Sequence, residues 1–147
     1  MVYIGRFAAL VFGYIAAALA ASAFLNVMAL GILNLNADEF PIVAHSFVFS
    51  IPFLALFIGY FGFVPAVIAI GIAEVTGQRD WLFYAIAGSI SAIAFIGAAW
   101  QTGHHGTMLD DPRFAMTLIG SGICGGIAYW LVAGRFAGEW RNRAERR

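Results

Sequence analysis

The sequence contains little charge and no lysine, and its charged residues lie apart from its long apolar runs. Charged residues make up 11% of the 147 residues, whereas hydrophobic residues make up 62%. A soluble domain carries about 25% charged residues, so this composition indicates an integral membrane protein. The formal net charge is zero, and we expect no nucleic acid partner.

The chain also lacks the residue sets that carry common chemistry. The single cysteine, Cys124, excludes a disulfide within the chain, and its place in an apolar run indicates a small core residue. There is no CxxC pair, no glycine-rich phosphate loop and no Ser/His/Asp arrangement. We therefore expect a protein that is not an enzyme and has no cofactor.

Three of the four long apolar runs contain no Asp, Glu, Lys, Arg or His; these are Phe7–Leu30, Trp81–Trp100 and Phe114–Val132. An ionisable residue inside a membrane span usually marks a proton relay, an ion pathway or a counter-ion. In the remaining run, His45 and Glu74 lie at opposite ends, away from the bilayer midplane. This pattern argues against a proton-coupled transporter and against a bis-histidine haem bundle.

The apolar runs predict an all-α integral membrane protein, a single four-transmembrane-helix bundle formed by residues 1–147. A helix of about 20 apolar residues crosses the hydrocarbon layer, which is about 30 Å thick. The predicted spans are residues 7–30, 44–72, 81–100 and 114–133, and a basic tail follows at 134–147. The first run contains an Ala-x-Ala pattern at residues 21–23, but it continues to Leu30, so we expect a retained span rather than a cleaved signal peptide.

The distribution of arginines predicts that both termini are cytoplasmic. Five of the eight arginines lie in the tail: Arg135, Arg141, Arg143, Arg146 and Arg147. Such a cluster beside a membrane helix stays on the cytoplasmic side. With four crossings, Arg6 and Arg79 fall on the same side, and only Arg113 lies outside. The predicted location is the cell membrane, most simply a bacterial inner membrane.

Local signals predict helix ends. Asp111 followed by Pro112 is a favourable helix start, because aspartate caps the first turn and proline needs no N–H partner there. The charges of the tail are spaced four residues apart, which predicts that the last helix continues into it. Glu74 and Arg79 bracket an inner loop, where a surface ion pair or a lipid headgroup contact is expected.

The second apolar region is unusually long and contains two prolines, Pro52 and Pro65. Proline removes a backbone hydrogen bond and kinks a helix, so we predict one long span that is kinked at these residues. The alternative is a re-entrant break near Tyr60–Pro65, which needs protein or water around the freed backbone groups.

Small residues recur every fourth position in two spans: Gly13, Ala17 and Ala21 in the first, and Gly122 and Gly126 in the last. Such faces allow helices to pack closely in lipid, either within the chain or against partners. The leading hypothesis is therefore a non-enzymatic accessory, assembly or homo-oligomeric component of the membrane. Its partners would be the lipid bilayer, further copies or other membrane subunits, and this hypothesis predicts small faces that remain open.

The sequence is also compatible with two alternative functions. The first is a small channel or facilitator for a small solute, with a water-lined path beside Pro52 and Pro65. The second is a divalent metal site or a membrane enzyme on the outer face. Imidazole and carboxylate groups suit zinc, and the weak candidate ligands are His45, His104, His105 and Asp110.

Overall fold

The computed structural model describes residues 2–33, 40–101 and 111–137, with side chains described for 4–29, 45–101 and 111–137. These residues form four α-helices, α1 (Val2–Leu33), α2 (Phe40–Thr76), α3 (Trp81–Gln101) and α4 (Pro112–Val132), and a 3₁₀ turn at Gly134–Phe136. All four helices are long and apolar enough to cross a membrane. The prediction of an all-α protein with four helices long and apolar enough to span a membrane is therefore confirmed, and each predicted span corresponds to one helix.

Capping groups define two of the helix ends. The side chain of Asp111 accepts a hydrogen bond from the backbone N–H of Arg113 at 2.9 Å, so the predicted start of α4 is confirmed. Gly77 follows the last residue of α2 and has a φ of 71°. Its N–H donates to the carbonyl of Ala73 at 2.8 Å. Glycine adopts this left-handed conformation without strain, which explains why α2 ends there.

The last helix does not continue into the tail as predicted. α4 ends at Val132, and the chain forms a 3₁₀ turn before Ala137 adopts an extended conformation. Gly134 is buried in this turn, and a Cβ added to it would lie 2.8 Å from the ring of Tyr84. This close packing against α3 ends the helix, so the prediction is wrong for residues 133–137. The tail arginines Arg141, Arg143, Arg146 and Arg147 lie outside the described residues.

α2 is one unbroken helix that includes both Pro52 and Pro65. The chain is helical throughout Tyr60–Pro65, so the re-entrant alternative is wrong at this point. The length of α2 agrees with the expectation of a span longer than a straight crossing requires. The kinks at the two prolines stay predictions.

α3 and α4 approach each other backbone to backbone. A Cβ added to Gly88 would overlap the carbonyl oxygen of Gly122, and one added to Gly122 would overlap that of Gly88. One turn further along α4, a Cβ on Gly126 would overlap the carbonyl oxygen of Tyr84. The GxxxG pair of α4 is therefore used inside the chain, against α3.

The adjacent face of α4 packs against α1. A Cβ on Gly125 would lie 3.0 Å from the carbonyl oxygen of Ala17, and one on Gly13 would lie 2.8 Å from the side chain of Ala133. Ala18 and Ala21 are buried. The small faces of α1, α3 and α4 are thus occupied within the chain, and the prediction that they remain open is wrong for these contacts.

α2 is attached mainly to α1, through hydroxyl groups. Ser22 donates to the carbonyl of Ile51 at 2.7 Å, and Tyr14 donates to the carbonyl of Gly59. α2 contacts α3 over a smaller area. Many of its large apolar side chains are exposed, including Val48, Phe49, Phe53, Leu56, Tyr60, Val64 and Ile68. In a bilayer these residues would face lipid.

The α3–α4 crossing predicts the effect of a single methyl group. Gly88→Ala should lower the free energy of unfolding by about 1–3 kcal/mol, because the opposing carbonyl cannot move aside as a flexible side chain can. Gly97→Ala on the same helix is the control, since no described atom lies within 4 Å of an added Cβ. It should be neutral or stabilising by up to about 1 kcal/mol. Thermal unfolding in a mild detergent measures the stability of both variants. Equal unfolding midpoints for Gly88→Ala and Gly97→Ala would contradict the close contact between α3 and α4.

Candidate functional site

A partly buried ion pair joins α1 to α2 at one end of the bundle, which we call the Arg6 end. Nη2 of Arg6 contacts Oε1 of Glu74, and Nη1 donates to the carbonyl of Ala133 at 3.4 Å. The two charged side chains are 19% and 18% exposed. Glu74 belongs to α2 and not to the following loop. The sequence prediction of a surface ion pair or headgroup contact there missed Arg6 as its partner.

Further hydrogen bonds close the Arg6 end around the loop between α2 and α3. The indole Nε1 of Trp130 donates to the carbonyl of Arg79 at 2.6 Å, and Nε of Arg79 donates to the carbonyl of Ala137 at 2.9 Å. The hydroxyl of Tyr84 donates to the carbonyl of Gln78 at 3.1 Å. These bonds fasten the loop to α4, to the turn that follows α4 and to the start of α3.

An aromatic layer lies next to the ion pair. The rings of Tyr84 and Tyr129 are 5.3 Å apart between centroids and are tilted by 36°. Both side chains belong to the buried core, together with Ala73 and Ala133. The layer adjoins the Arg6 end, because the carbonyl of Ala133 in this cluster accepts the hydrogen bond from Arg6.

A cavity of about 800 Å³ adjoins this layer. All four helices contribute to its lining, which is mostly apolar. Representative lining residues are Ala17 and Ala21 of α1, Phe57, Phe61, Gly62 and Ala66 of α2, Ala87 and Phe95 of α3, and Leu118 and Gly125 of α4. Tyr84 and Tyr129 also line it, whereas Arg6 and Glu74 are not part of the lining.

Most polar groups in the lining are bound to the protein itself. The amide of Asn26 donates to the carbonyl of Ser22 at 2.9 Å and accepts from Ser50 of α2. The hydroxyls of Ser91 and Ser121 donate to carbonyls on their own helices, at 2.8 and 2.7 Å. Because these groups are satisfied, they add little polarity to the cavity.

The cavity runs beside the stretch between Pro52 and Pro65, where the channel hypothesis predicted a water-lined path. The residues that α2 contributes from this stretch are Leu54, Phe57, Ile58, Phe61 and Gly62, none of which carries a polar side chain. Apolar cavities of this kind do not retain water well. The lining therefore suits an apolar molecule better than a column of water.

The predicted metal ligands are not brought together by the described part of the chain. His45 lies near the start of α2 and is exposed. His104, His105 and Asp110 lie outside the described residues. Among the described residues, no group of three or more His, Cys, Asp or Glu side chains could hold a metal ion. A metal site on this face stays a prediction.

Comparisons with protein-family models, with curated proteins and with solved structures found no match for this chain. The function must therefore be argued from the geometry of the cavity and of the Arg6 end. Sequence reasoning missed both features, because each depends on which helices become neighbours. The one available signal was the pair of small residues Gly62 and Ala66, four positions apart on α2.

A double-mutant cycle tests the ion pair. Replacing Arg6→Gln and Glu74→Gln, singly and together, should give a coupling free energy of about 1–3 kcal/mol, because the pair is partly withdrawn from water. Arg113→Gln with Glu74→Gln is the control cycle, since Arg113 lies at the opposite end of the bundle, and its coupling should be near zero. Chemical unfolding in detergent gives these values. If both cycles gave the same coupling free energy, the ion pair between Arg6 and Glu74 would be contradicted.

Proposed function

We propose that this chain is a non-enzymatic, multi-pass protein of the cell membrane that binds a small lipophilic molecule between its helices. The cavity is the observation that carries this proposal. In this form the protein is a facilitator or carrier for an apolar solute. The proposal replaces the water-filled path of the channel hypothesis with an apolar binding site.

The size and lining of the cavity support an apolar ligand. Small-molecule sites have volumes of about 300–1,000 Å³ and are mostly apolar, with a few polar groups. The cavity has about 800 Å³ and fits this description. A charged solute would lose its hydration without gaining a partner, since the Arg6–Glu74 pair lies outside the lining. The lining thus favours neutral molecules.

The weak contact between α2 and α3 supports entry from the bilayer. The rings of Phe61 and Phe95 meet across this seam at 5.6 Å between centroids. α2 is bonded to α1 by Ser22 and Tyr14, so the seam can widen without breaking those hydrogen bonds. A lipophilic molecule dissolved in the bilayer would reach the cavity sideways through this seam.

A second candidate is the accessory or homo-oligomeric component expected from the sequence. The exposed apolar face of α2 favours it, because this helix has few partners within the chain. Mass measurement of the intact complex after gentle extraction separates the candidates. A stable heteromeric partner would support the accessory function, and a monomer would leave the binding function as the better account.

The proposed orientation has both termini in the cytoplasm, supported by the clustering of arginines. We expect a membrane-impermeant thiol reagent, added to intact cells of a Cys124→Ala background, to label Thr107→Cys but not Arg147→Cys. Both variants should be labelled after the membrane is permeabilised, which serves as the control. Labelling of Arg147→Cys in intact cells would contradict this orientation.

Filling the cavity should prevent binding. Hexylbenzene should raise the thermal midpoint of the unmodified protein, and Gly62→Trp should weaken its apparent affinity about tenfold or more, which corresponds to about 1.4 kcal/mol. Gly62 lines the cavity and has space for a side chain.

Gly71→Trp is the matched control for this experiment. Gly71 lies on the same helix, has equally open space and is not part of the lining. This variant should bind hexylbenzene as the unmodified protein does. If Gly62→Trp and Gly71→Trp bind alike, the cavity is not the binding site.

A further inference from the structure

One side chain of the cavity stands apart from the other polar groups. Tyr129 of α4 is only 6% exposed and lines the cavity. Its ring is held between Tyr84 on one helix and Gly13 on another, where a Cβ would lie 3.2 Å from the ring carbons. The position of its hydroxyl is therefore fixed by the packing of three helices.

The other hydroxyls of the cavity have partners. Those of Ser91, Thr117 and Ser121 donate to carbonyls of their own helices at 2.7–2.8 Å. The hydroxyl of Tyr14 donates to Gly59, and that of Tyr84 donates to Gln78. Within the described residues, the hydroxyl of Tyr129 makes no hydrogen bond. Because this hydroxyl has no partner within the described part of the chain and its residue lines the cavity, it is available to a ligand.

We infer that the hydroxyl of Tyr129 donates a hydrogen bond to a neutral carbonyl group on the lipophilic molecule that occupies the cavity. This inference rests on the proposed function and names the chemical class of its ligand. The ligand is an apolar body with a ketone-like or quinone-like oxygen at one end. The apolar walls hold the body, and the hydroxyl donor of Tyr129 fixes its orientation.

The surroundings of Tyr129 favour a neutral carbonyl over a charged group. A carboxylate in this cavity would need a cation, and Arg6 is engaged by Glu74 outside the lining. A carbonyl oxygen requires only one donor, which the phenol supplies. A purely apolar molecule would fill the same space but would leave the hydroxyl unpaired.

A matched pair of probes tests the inference. Hexanophenone and hexylbenzene differ only by the replacement of a carbonyl group with a methylene group. With the unmodified full chain in detergent micelles, thermal stabilisation gives an apparent affinity for each probe. Tyr129→Phe should weaken binding of hexanophenone about three- to tenfold and leave hexylbenzene unchanged. This substitution removes a hydroxyl without a protein partner, so the fold should persist.

Tyr14→Phe is the control variant, because its hydroxyl also belongs to the lining but is bonded to Gly59. It should affect both probes equally. If hexylbenzene binds in the cavity and Tyr129→Phe has the same effect on both probes, the inference is overturned while the proposed function stands. If neither probe binds, or if Gly62→Trp does not reduce binding, the proposed function fails and the inference fails with it.

Discussion

The close backbone contact between α3 and α4 at Gly88 and Gly122 fixes how the other helices can pack. In lipid, apolar side chains gain little by leaving the bilayer, so helices associate through close packing and polar contacts. α4 carries two small faces, one residue apart in sequence and therefore about 100° apart around the helix. Gly122 and Gly126 face α3, whereas Gly125 faces α1. α4 thus holds α1 and α3 in place.

α2 is held by a different kind of contact. Hydroxyl groups of α1 bond to its backbone carbonyls, and the Arg6–Glu74 pair fastens its end. A Cβ added to any described glycine of α2 would have no backbone atom of another helix within 4 Å. α2 therefore lies farther from α3 than α4 does. Its small residues Gly62 and Ala66 face the space that remains. The cavity is therefore a consequence of one helix lacking the close contact that joins the other three.

Hydropathy predicted the four spans well, because the length and apolarity of a helix reflect its surroundings directly. The start of α4 was also predictable, since Asp111 and Pro112 act within one turn. The helices that the small faces contact were not predictable, because a GxxxG pattern does not specify its partner helix. The Arg6–Glu74 pair joins residues far apart in sequence, and no local spacing signals it. The turn at Gly134 depends on the ring of Tyr84. It was not predictable from the sequence, because these two residues are also far apart along the chain.

The two ends of the cavity differ in a way that limits what the protein can do. At the Arg6 end, the Tyr84–Tyr129 ring pair lies beside the Arg6–Glu74 ion pair. A solute that crossed this end would have to pass these rings and then a charge pair. The α2–α3 seam presents only apolar contacts such as Phe61–Phe95. On the proposed function, a ligand would therefore exchange with the bilayer, and the protein would hold or hand over a membrane-dissolved molecule rather than conduct a solute from one aqueous side to the other.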